Sequence, residues 1–510
     1  MISSIRGGVS MEKTARVVAR YLLALVGLCA LNGTVLARPF VVCDDVSDPA
    51  TLDPQKQFSE KNHTLLQQIY EGLVRFAPDG KIEPALATSW ERIDPLRVRF
   101  NLRPGVRFHD GTPFSAESVR YSIQRYLEPG TGFPAIGFLI SLDHAEIVND
   151  LTVDIVTHFP DGLLLNRLAG FVLIVPSTAS AKSPRDLANA PNGTGPFKFN
   201  EWKKGSEISL HANRDYWMPK APFFDSLVFR FIPSDKQMES LFKGEVDLLT
   251  ELPGTMTTQV MSHSGTRIVK GNTFWTVGAT MNLAKKPLSD LEFRKALNLA
   301  IDRNEIVRYD SFGNGQPLAT LSMPGQGGHN DGLTPYLYDP KRAKQILTSL
   351  GYENVTLKTL VRVHGLRTAR IIKTQLAKVG ITLDIKSVNT DADVIHALQS
   401  EPWDIAIAGL PDPMCHSFFA ESILLFSGSP FSLTKDPEFD GRLQKVVTTV
   451  DESEREAAAQ QLDSYVYDQA LSLFTYQRIK TYALRTDVNF VPSVSSMPHF
   501  FRTTFSDRKK

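Results

Sequence analysis

The stretch that decides the fold is residues 98–123, VRFNLRPGVRFHDGTPFSAESVRYSI, because it combines strand, turn and helix signals in one short span. Residues 98–102 alternate apolar and polar side chains, which is typical of a half-buried strand, and a Pro-Gly turn follows. Val106 and Phe108 are expected to begin a second strand, which an Asp-Gly turn closes. Ser115 then stands where a helix N-cap is expected. The pattern predicts a strand, turn, strand, turn, helix unit of an α/β protein.

The sequence of residues 98–123 resembles the signature segment of family 5 of the solute-binding proteins of ABC importers, which includes oligopeptide-, dipeptide- and nickel-binding proteins. Residues 51–55 (TLDPQ), 69–76 (IYEGLVRF), 244–249 (GEVDLL) and the helix pattern of 287–307 are similar to further phrases of that family. The resemblance implies an α/β, periplasmic binding protein-like fold. It also implies two lobes, an extra subdomain in lobe one, and a ligand cleft between the lobes.

The length agrees with two lobes, since 510 residues exceed what one hydrophobic core usually supports. By resemblance, lobe one covers residues 38–281 together with 485–510, and its inserted subdomain spans about 82–190. Lobe two covers 282–484. A strand over Thr273–Asn282 is expected to cross between them.

The N-terminus has the pattern of an export signal over residues 1–37. Basic residues precede the apolar run of 21–30, and small residues near Ala37 favour cleavage after it. We therefore expect a periplasmic protein. Two alternatives stay open: an uncleaved membrane anchor, and translation from Met11.

Cysteine usage adds little. Cys29 is preceded by Leu28, which is bulkier than the small residue that lipidation sites need, so the sequence argues against a lipoprotein. Cys43 and Cys415 are left open as buried thiols, a disulfide or ligand-facing groups.

Charge and motifs exclude several functions. The chain has a net charge of +1, and the basic signal region leaves the remainder slightly acidic, which argues against nucleic-acid binding. The sequence contains no HExxH, GxSxG, Walker or CxxC motif, so we expect binding without catalysis and without a cofactor.

The resemblance implies the first candidate ligand contacts. In the family, the loop between the first strand and first helix reaches the cleft, which makes Phe58, Ser59 and Glu60 candidates. An aromatic residue near the crossover strand also contacts the ligand, and Trp275 takes that position. Core packing of Trp275 is an equally good interpretation.

Basic and acidic candidates follow in the second half. Arg362 and Arg367 lie where relatives often bind a ligand carboxylate, and a guanidinium suits that group by bidentate hydrogen bonding. Solvated arginine side chains at a helix end are the alternative interpretation. The chain departs from the family after the strand at 404–409. Leu410 replaces an aromatic residue, and the acidic residue that pairs with a peptide ammonium is missing, so Asp412 is the expected substitute.

Residues 414–416, Met-Cys-His, could in principle contact a metal. Consecutive residues point in different directions and no matching Cys or His spacing exists elsewhere, so we expect no metal site.

Three functions are compatible with the sequence. The first is a receptor that captures peptides or a related small solute and delivers them to an inner-membrane ABC permease, acting as a monomer. The second is a receptor for a non-peptide solute such as a metal chelate, haem or an oligosaccharide. The third is a membrane-anchored hydrolase or sensor.

Overall fold

The structure is a computed structural model that describes residues 38–43, 48–177 and 186–506. The expected signal peptide, with Cys29, lies outside the described residues. Among those that are described, no helix is long and apolar enough to cross a bilayer.

The largest sheet of the described residues is a mixed sheet of eleven strands. In spatial order its main path is β15 (Ile381–Val388), β14 (Val355–Arg362), β16 (Ile405–Pro411), β12 (Thr266–Met281), β17 (Tyr476–Arg485), β11 (Leu248–Leu249), β1 (Phe40–Cys43), β10 (Ser226–Arg230), β9 (Glu207–Ala212) and β8 (Phe197–Lys203). β13 (Gly315–Pro317) pairs with β17 beside this path.

Strand β12 links two parts of this sheet. One part consists of β14, β15 and β16, and the other of β17, β11, β1, β10, β9 and β8. Its first half pairs antiparallel with β17, and its second half, from Trp275 onward, pairs antiparallel with β16. The expected crossover strand at Thr273–Asn282 is therefore the end of a longer strand. The earlier residues, 266–272, are mostly half-buried or exposed and have no strongly apolar face, so their sequence gives a weak strand signal.

A separate four-stranded antiparallel sheet lies in the 82–177 segment. Its order is β4 (Ala87–Asp94), β5 (Arg97–Leu102), β7 (Thr152–Thr157) and β6 (Leu142–Asn149), and a two-stranded sheet of β2 (Val74–Phe76) and β3 (Ile82–Pro84) lies beside it. The pair β18 (Val488–Asn489) and β19 (Thr504–Phe505) lies near the C-terminus.

Thirteen α-helices connect the described strands. They are α1 (Glu60–Leu66), α2 (Ala116–Leu127), α3 (Leu164–Phe171), α4 (Ser234–Phe242), α5 (Thr257–Ser262), α6 (Leu291–Leu299), α7 (Arg303–Asp310), α8 (Pro340–Ser349), α9 (Leu366–Ala377), α10 (Asp391–Ser400), α11 (Phe418–Leu424), α12 (Pro437–Thr448) and α13 (Glu452–Asp468).

The opening stretch folds largely as its pattern predicts. The apolar residues of β5 are buried, and Ser115 is the N-cap of α2. The expected second strand at Val106 and Phe108 is reduced to a single antiparallel bridge, between Arg107 and Pro113. Both side chains are buried, the Phe108 N–H donates to the Thr112 carbonyl and the Phe114 N–H donates to the Val106 carbonyl, so the chain forms a very short hairpin that joins none of the sheets.

Two core regions matter for the site. One surrounds β14, β15 and β16 with helices α6, α8 and α9. The other combines the four-stranded sheet, α2 and α3 with residues of α11, α12 and α13. This second core joins segments that are far apart in the sequence, so the 82–177 segment packs directly on the 413–474 segment.

The contact between residues 138–171 and 413–455, here called the flanking contact, is close-packed. The Phe138 ring stacks against Phe171 at 5.1 Å and Phe419 at 4.8 Å between centroids. The Gly162 N–H donates to the Val447 carbonyl at 2.7 Å, and a Cβ atom at Gly162 would lie 2.0 Å from the Thr449 carbonyl oxygen. Only glycine therefore fits at this point.

The two cysteines of the described residues, Cys43 and Cys415, are buried in separate hydrophobic clusters. Cys43 ends β1, whereas Cys415 packs with Phe76, Phe274 and Met323. These surroundings fit small apolar side chains.

Candidate functional site: a cavity between the two parts of the sheet

A cavity of about 770 Å³ lies beside the two long central strands. One wall comes from the start of α1, residues 251–254 and β17, and the other from the ends of α7 and β14 and from β16. The flanking contact borders it through Phe138 and Phe419. A volume of this size suits a small solute.

Phe58, Ser59 and Glu60 line the cavity together. Ser59 is the N-cap of α1, since its Oγ accepts from the Asn62 N–H at 3.2 Å. The Phe58 ring packs on Phe171 at 4.9 Å. The Glu60 carboxylate pairs with Lys480 Nζ at 3.2 Å. The Ser59 cap therefore holds the backbone at the start of α1, from which all three side chains reach the cavity.

Trp275 also lines the cavity, and its indole lies over the backbone of Gly409. A Cβ atom at Gly409 would lie 2.6 Å from the ring, so the missing side chain is what allows the indole to lie flat against β16. The Arg478 guanidinium stands 5.4 Å from the indole centroid. Trp275 is thus a half-buried aromatic surface with a cation beside it.

Arg478 forms an ion pair with Glu251, and both residues line the cavity. Burial alone would raise the pKa of Glu251, but Arg478 and Lys480 overcome this effect and lower it to about 2. The pair therefore stays charged at neutral pH.

Arg362, the last residue of β14, lines the opposite wall. Its Nη1 pairs with the Asp391 carboxylate at 2.6 Å, at the start of α10. Its Nε–H is buried and has no acceptor among the described residues. A guanidinium with an unused N–H beside a cavity can donate to a carboxylate oxygen of a solute.

The structure does not bring Arg367 and Asp412 to the cavity surface. The Arg367 guanidinium lies 4.6 Å from the ring centroid of Phe312, which lines the cavity, whereas Arg367 does not. The Asp412 side chain is buried, and it accepts from the Gln326 amide and from the Met414 and His416 N–H groups at 2.7 and 2.8 Å.

Asp412 therefore organises its own turn instead of facing a solute. The Gly/Pro-rich segment bends back, so the carboxylate caps the N–H groups that follow it. Burial raises the pKa of Asp412 to about 7 against the opposing effect of these donors. The sequence could not distinguish this turn from an extended loop.

Sequence reasoning missed several charged residues that line the cavity: Lys61, Glu251, Asp310, Asp391, Arg478 and Lys480. A signal existed for two of them. Arg478 and Lys480 are two residues apart in a strand, so they share a face, and two cations on one face of a central strand are incompatible with a dry core.

No group of three or more His, Cys, Asp or Glu side chains in the described part of the chain is arranged to hold a metal. Met414, Cys415 and His416 are all buried, and His416 Nε2 lies 3.4 Å from the Glu456 carboxylate.

A serine, a histidine and an aspartate do meet away from the cavity. Ser322 Oγ lies 2.7 Å from His329 Nδ1 and donates to Asp463 Oδ2 at 2.7 Å. In a nucleophilic triad the aspartate accepts from the histidine, which leaves the serine proton for the second histidine nitrogen. Here the serine itself binds the carboxylate, so the geometry is that of a buried polar link.

Comparison with known proteins identifies the family. The family model described as bacterial extracellular solute-binding proteins, family 5 middle, matches residues 81–420. This chain belongs to family 5 of the bacterial extracellular solute-binding proteins. Family 5 proteins are the solute-binding components of ABC importers, and their members are periplasmic binding proteins.

Three relatives illustrate the similarity of this family 5 protein. The glutathione-binding protein GsiB of Pectobacterium atrosepticum is 27% identical over 347 residues, 66% of this chain and 67% of GsiB. DppA of Helicobacter pylori, in complex with peptide STSA, has a TM-score of 0.75 at 26% identity, covering 92% of this chain and 98% of DppA. AgaA of A. tumefaciens R10, in complex with agropinic acid, has a TM-score of 0.76 at 25% identity, covering 92% and 99%.

Proposed function

We propose that this family 5 protein captures a peptide, or a peptide-like solute that carries a carboxylate, in the cavity and delivers it to an ABC permease. The observation that carries this proposal is the Arg362 guanidinium, whose buried Nε–H beside the cavity has no acceptor among the described residues. Relatives named for glutathione and for a peptide complex support a peptide-like solute.

The proposed ligand contacts are Phe58, Ser59, Glu60, Trp275 and Arg362. Their combination suits a solute with an extended backbone, because Arg362 provides a directional carboxylate site and the two aromatic side chains provide apolar surface. Arg367 acts in this proposal only through Phe312, and Asp412 only through the turn it holds.

The proposed capture mechanism uses two lobes, with the boundaries at residues 281 and 484. The long strands β12 and β17 would serve as the hinge, since they connect the two parts of the sheet. A solute that contacts both walls binds the closed form better than the open form, and it shifts the population toward closure by that difference. The closed form would then dock on the permease as a monomer.

Export by residues 1–37 is part of the same proposal. A solute-binding protein has to reach the compartment outside the inner membrane, and the basic, apolar and small-residue order of this segment fits a cleaved signal.

The direct test is native mass spectrometry of the exported protein, followed by titration calorimetry with the solute that it retains. Replacement of Arg362 by Ala is expected to weaken a carboxylate-bearing solute by about 1.5–3 kcal/mol, the size of a charged hydrogen bond. The variant should still fold, because Asp391 is 57% exposed and stays hydrated when its partner is removed.

The matched control is Arg370→Ala, since Arg370 is exposed on α9 and does not line the cavity. It should bind as the unmodified protein does. A retained solute without any carboxylate, or equal affinity of the Arg362 and Arg370 variants, would refute the proposal.

A further inference from the structure

We infer that Asp310 binds a cationic group of the solute, an ammonium or a guanidinium, so that the cavity selects solutes with both a positive and a negative group. This inference rests on the proposed function and assigns a second charged contact to the same cavity.

The charges that line the cavity are balanced. Four cationic side chains and four carboxylates face it, namely Lys61, Arg362, Arg478 and Lys480 with Glu60, Glu251, Asp310 and Asp391. A balanced cavity has no net attraction for a strongly anionic or strongly cationic solute, so individual contacts decide specificity.

Most of these carboxylates already have a cation. Glu60 pairs with Lys480, Glu251 with Arg478, and Asp391 with Arg362. Asp310 is the exception, since no cationic side chain among the described residues forms an ion pair with it. Its Oδ2 atom accepts from two neutral hydroxyls, Thr368 Oγ1 at 2.5 Å and Tyr476 Oη at 2.6 Å.

The other oxygen, Oδ1, has no hydrogen-bond donor in the described part of the chain. Burial, together with the charge of Asp310, raises the pKa of Tyr476, so the phenol keeps its proton and continues to donate. The two hydroxyls orient the carboxylate without neutralising it. Asp310 therefore presents a fixed negative group at a surface where a solute is held.

The position of Asp310 in its helix strengthens the negative potential. It is the last residue of α7, where the final backbone carbonyls carry partial negative charge. A cation is favoured at such a helix end, whereas a carboxylate adds to the local negative charge.

Nearby guanidiniums are engaged elsewhere. Arg478 is held by Glu251, and Arg367 lies over the Phe312 ring. His364 also lines the cavity. None of these three forms an ion pair with Asp310, which leaves the solute as the source of the cation.

This assignment explains the missing acidic residue. The sequence lacks the carboxylate expected before the Asp-Pro pair, and Asp412 is buried by its own turn. Asp310 supplies a carboxylate to the cavity from a different element. The alternative is that Asp310 only links Thr368 of α9 to Tyr476 of β17, and the experiment distinguishes the two.

The test compares peptide STSA and glutathione with their N-acetylated forms by titration calorimetry on the mature protein and on Asp310→Asn. The asparagine side-chain oxygen still accepts from both hydroxyls, so the structural link is kept and only the charge is lost. Asp331→Asn is the matched control, because that side chain is 92% exposed and does not line the cavity. Thermal unfolding verifies that each variant folds.

We expect acetylation to weaken binding to the unmodified protein and to Asp331→Asn by about 10- to 100-fold, as for a lost charged hydrogen bond. Asp310→Asn should bind the free and acetylated forms equally. If it keeps the preference for the free amine, or if acetylation has no effect, Asp310 is only a structural link and carboxylate capture stands. If none of the four probes binds the unmodified protein, the proposed peptide-like solute fails, and this inference fails with it.

Discussion

The cavity and the flanking contact are neighbouring regions built on opposite principles. The cavity has about 770 Å³ of space, and its ion pairs are spread over facing walls. The flanking contact has stacked rings and a glycine position where even a methyl group would collide with a carbonyl. Close apolar packing gives stability but little choice between solutes, whereas separated polar groups discriminate. We infer that the flanking contact stabilises the closed form and that the cavity sets specificity.

The turn of residues 412–416 connects these two regions. Protonation of its Asp412 carboxyl group should give the largest of the predicted effects on stability. Burial raises the pKa of Asp412 to about 7, above the value near 3.8 of an unfolded chain. The folded state therefore keeps a proton that the unfolded state loses between those values. Stability from this group is complete below about pH 4 and is lost as the pH rises to 7, by about 4 kcal/mol at most.

The measurement is the free energy of unfolding from pH 4 to pH 7 for the unmodified protein and for Asp412→Asn. The difference between the two curves should fall as the pH rises. A difference that is flat, or that grows with pH, would mean that Asp412 is ionised in the folded protein and that the N–H donors of its turn outweigh burial.

Gly162→Ala tests whether the flanking contact controls closure. The new Cβ atom would meet the Thr449 carbonyl at 2.0 Å, and such overpacking costs about 1–3 kcal/mol. If the closed form carries this cost, the apparent Kd of a bound solute rises about 5- to 150-fold. Small-angle scattering with and without solute should show a larger open fraction.

The control is Gly137→Ala in the same segment, where a Cβ atom would meet nothing within 4 Å. It should change neither the scattering profile nor the affinity. Equal behaviour of the two variants would separate the flanking contact from closure.

Ser59 gives the smallest predicted effect and sharpens the boundary between structure and binding at the cavity rim. Ser59→Ala removes the N-cap of α1 and should lower stability by about 1 kcal/mol in thermal unfolding. Ser59→Asp keeps a capping oxygen and should restore most of this loss. A stability of Ser59→Ala equal to that of the unmodified protein would show that the cap contributes nothing.

Much of the fold could be predicted from short sequence segments, because turns, helix caps and strands with alternating polarity are encoded locally. The capped start of α8 at Asp339-Pro340 is an example, and Ser115 occupies the N-cap position of α2 without a side-chain capping bond. The short hairpin at Val106 and Phe108 has the same origin. Two alternating apolar residues between two turns predict strand pairing but not how far it extends, and here it stops at the bridge between Arg107 and Pro113.

The candidate site was predicted in part. Five of the residues selected from the sequence line the cavity, namely Phe58, Ser59, Glu60, Trp275 and Arg362. They could be selected because the segments that carry them resemble segments of the family. Asp310 could not be found in this way, because its place depends on how α7 ends beside β17, more than 160 residues later in the chain. Asp412 does not line the cavity, because its carboxylate accepts hydrogen bonds from backbone N–H groups of its own Gly/Pro-rich turn.

The central claim is that a solute is bound in the cavity between Trp275 and Arg362. The most direct measurement is a crystal structure of the protein with a solute whose binding has been established by calorimetry. We expect a solute carboxylate at the Arg362 guanidinium and a cationic group at the Asp310 carboxylate. A solute bound outside the cavity, with Arg362 unchanged and only water between the walls, would contradict it.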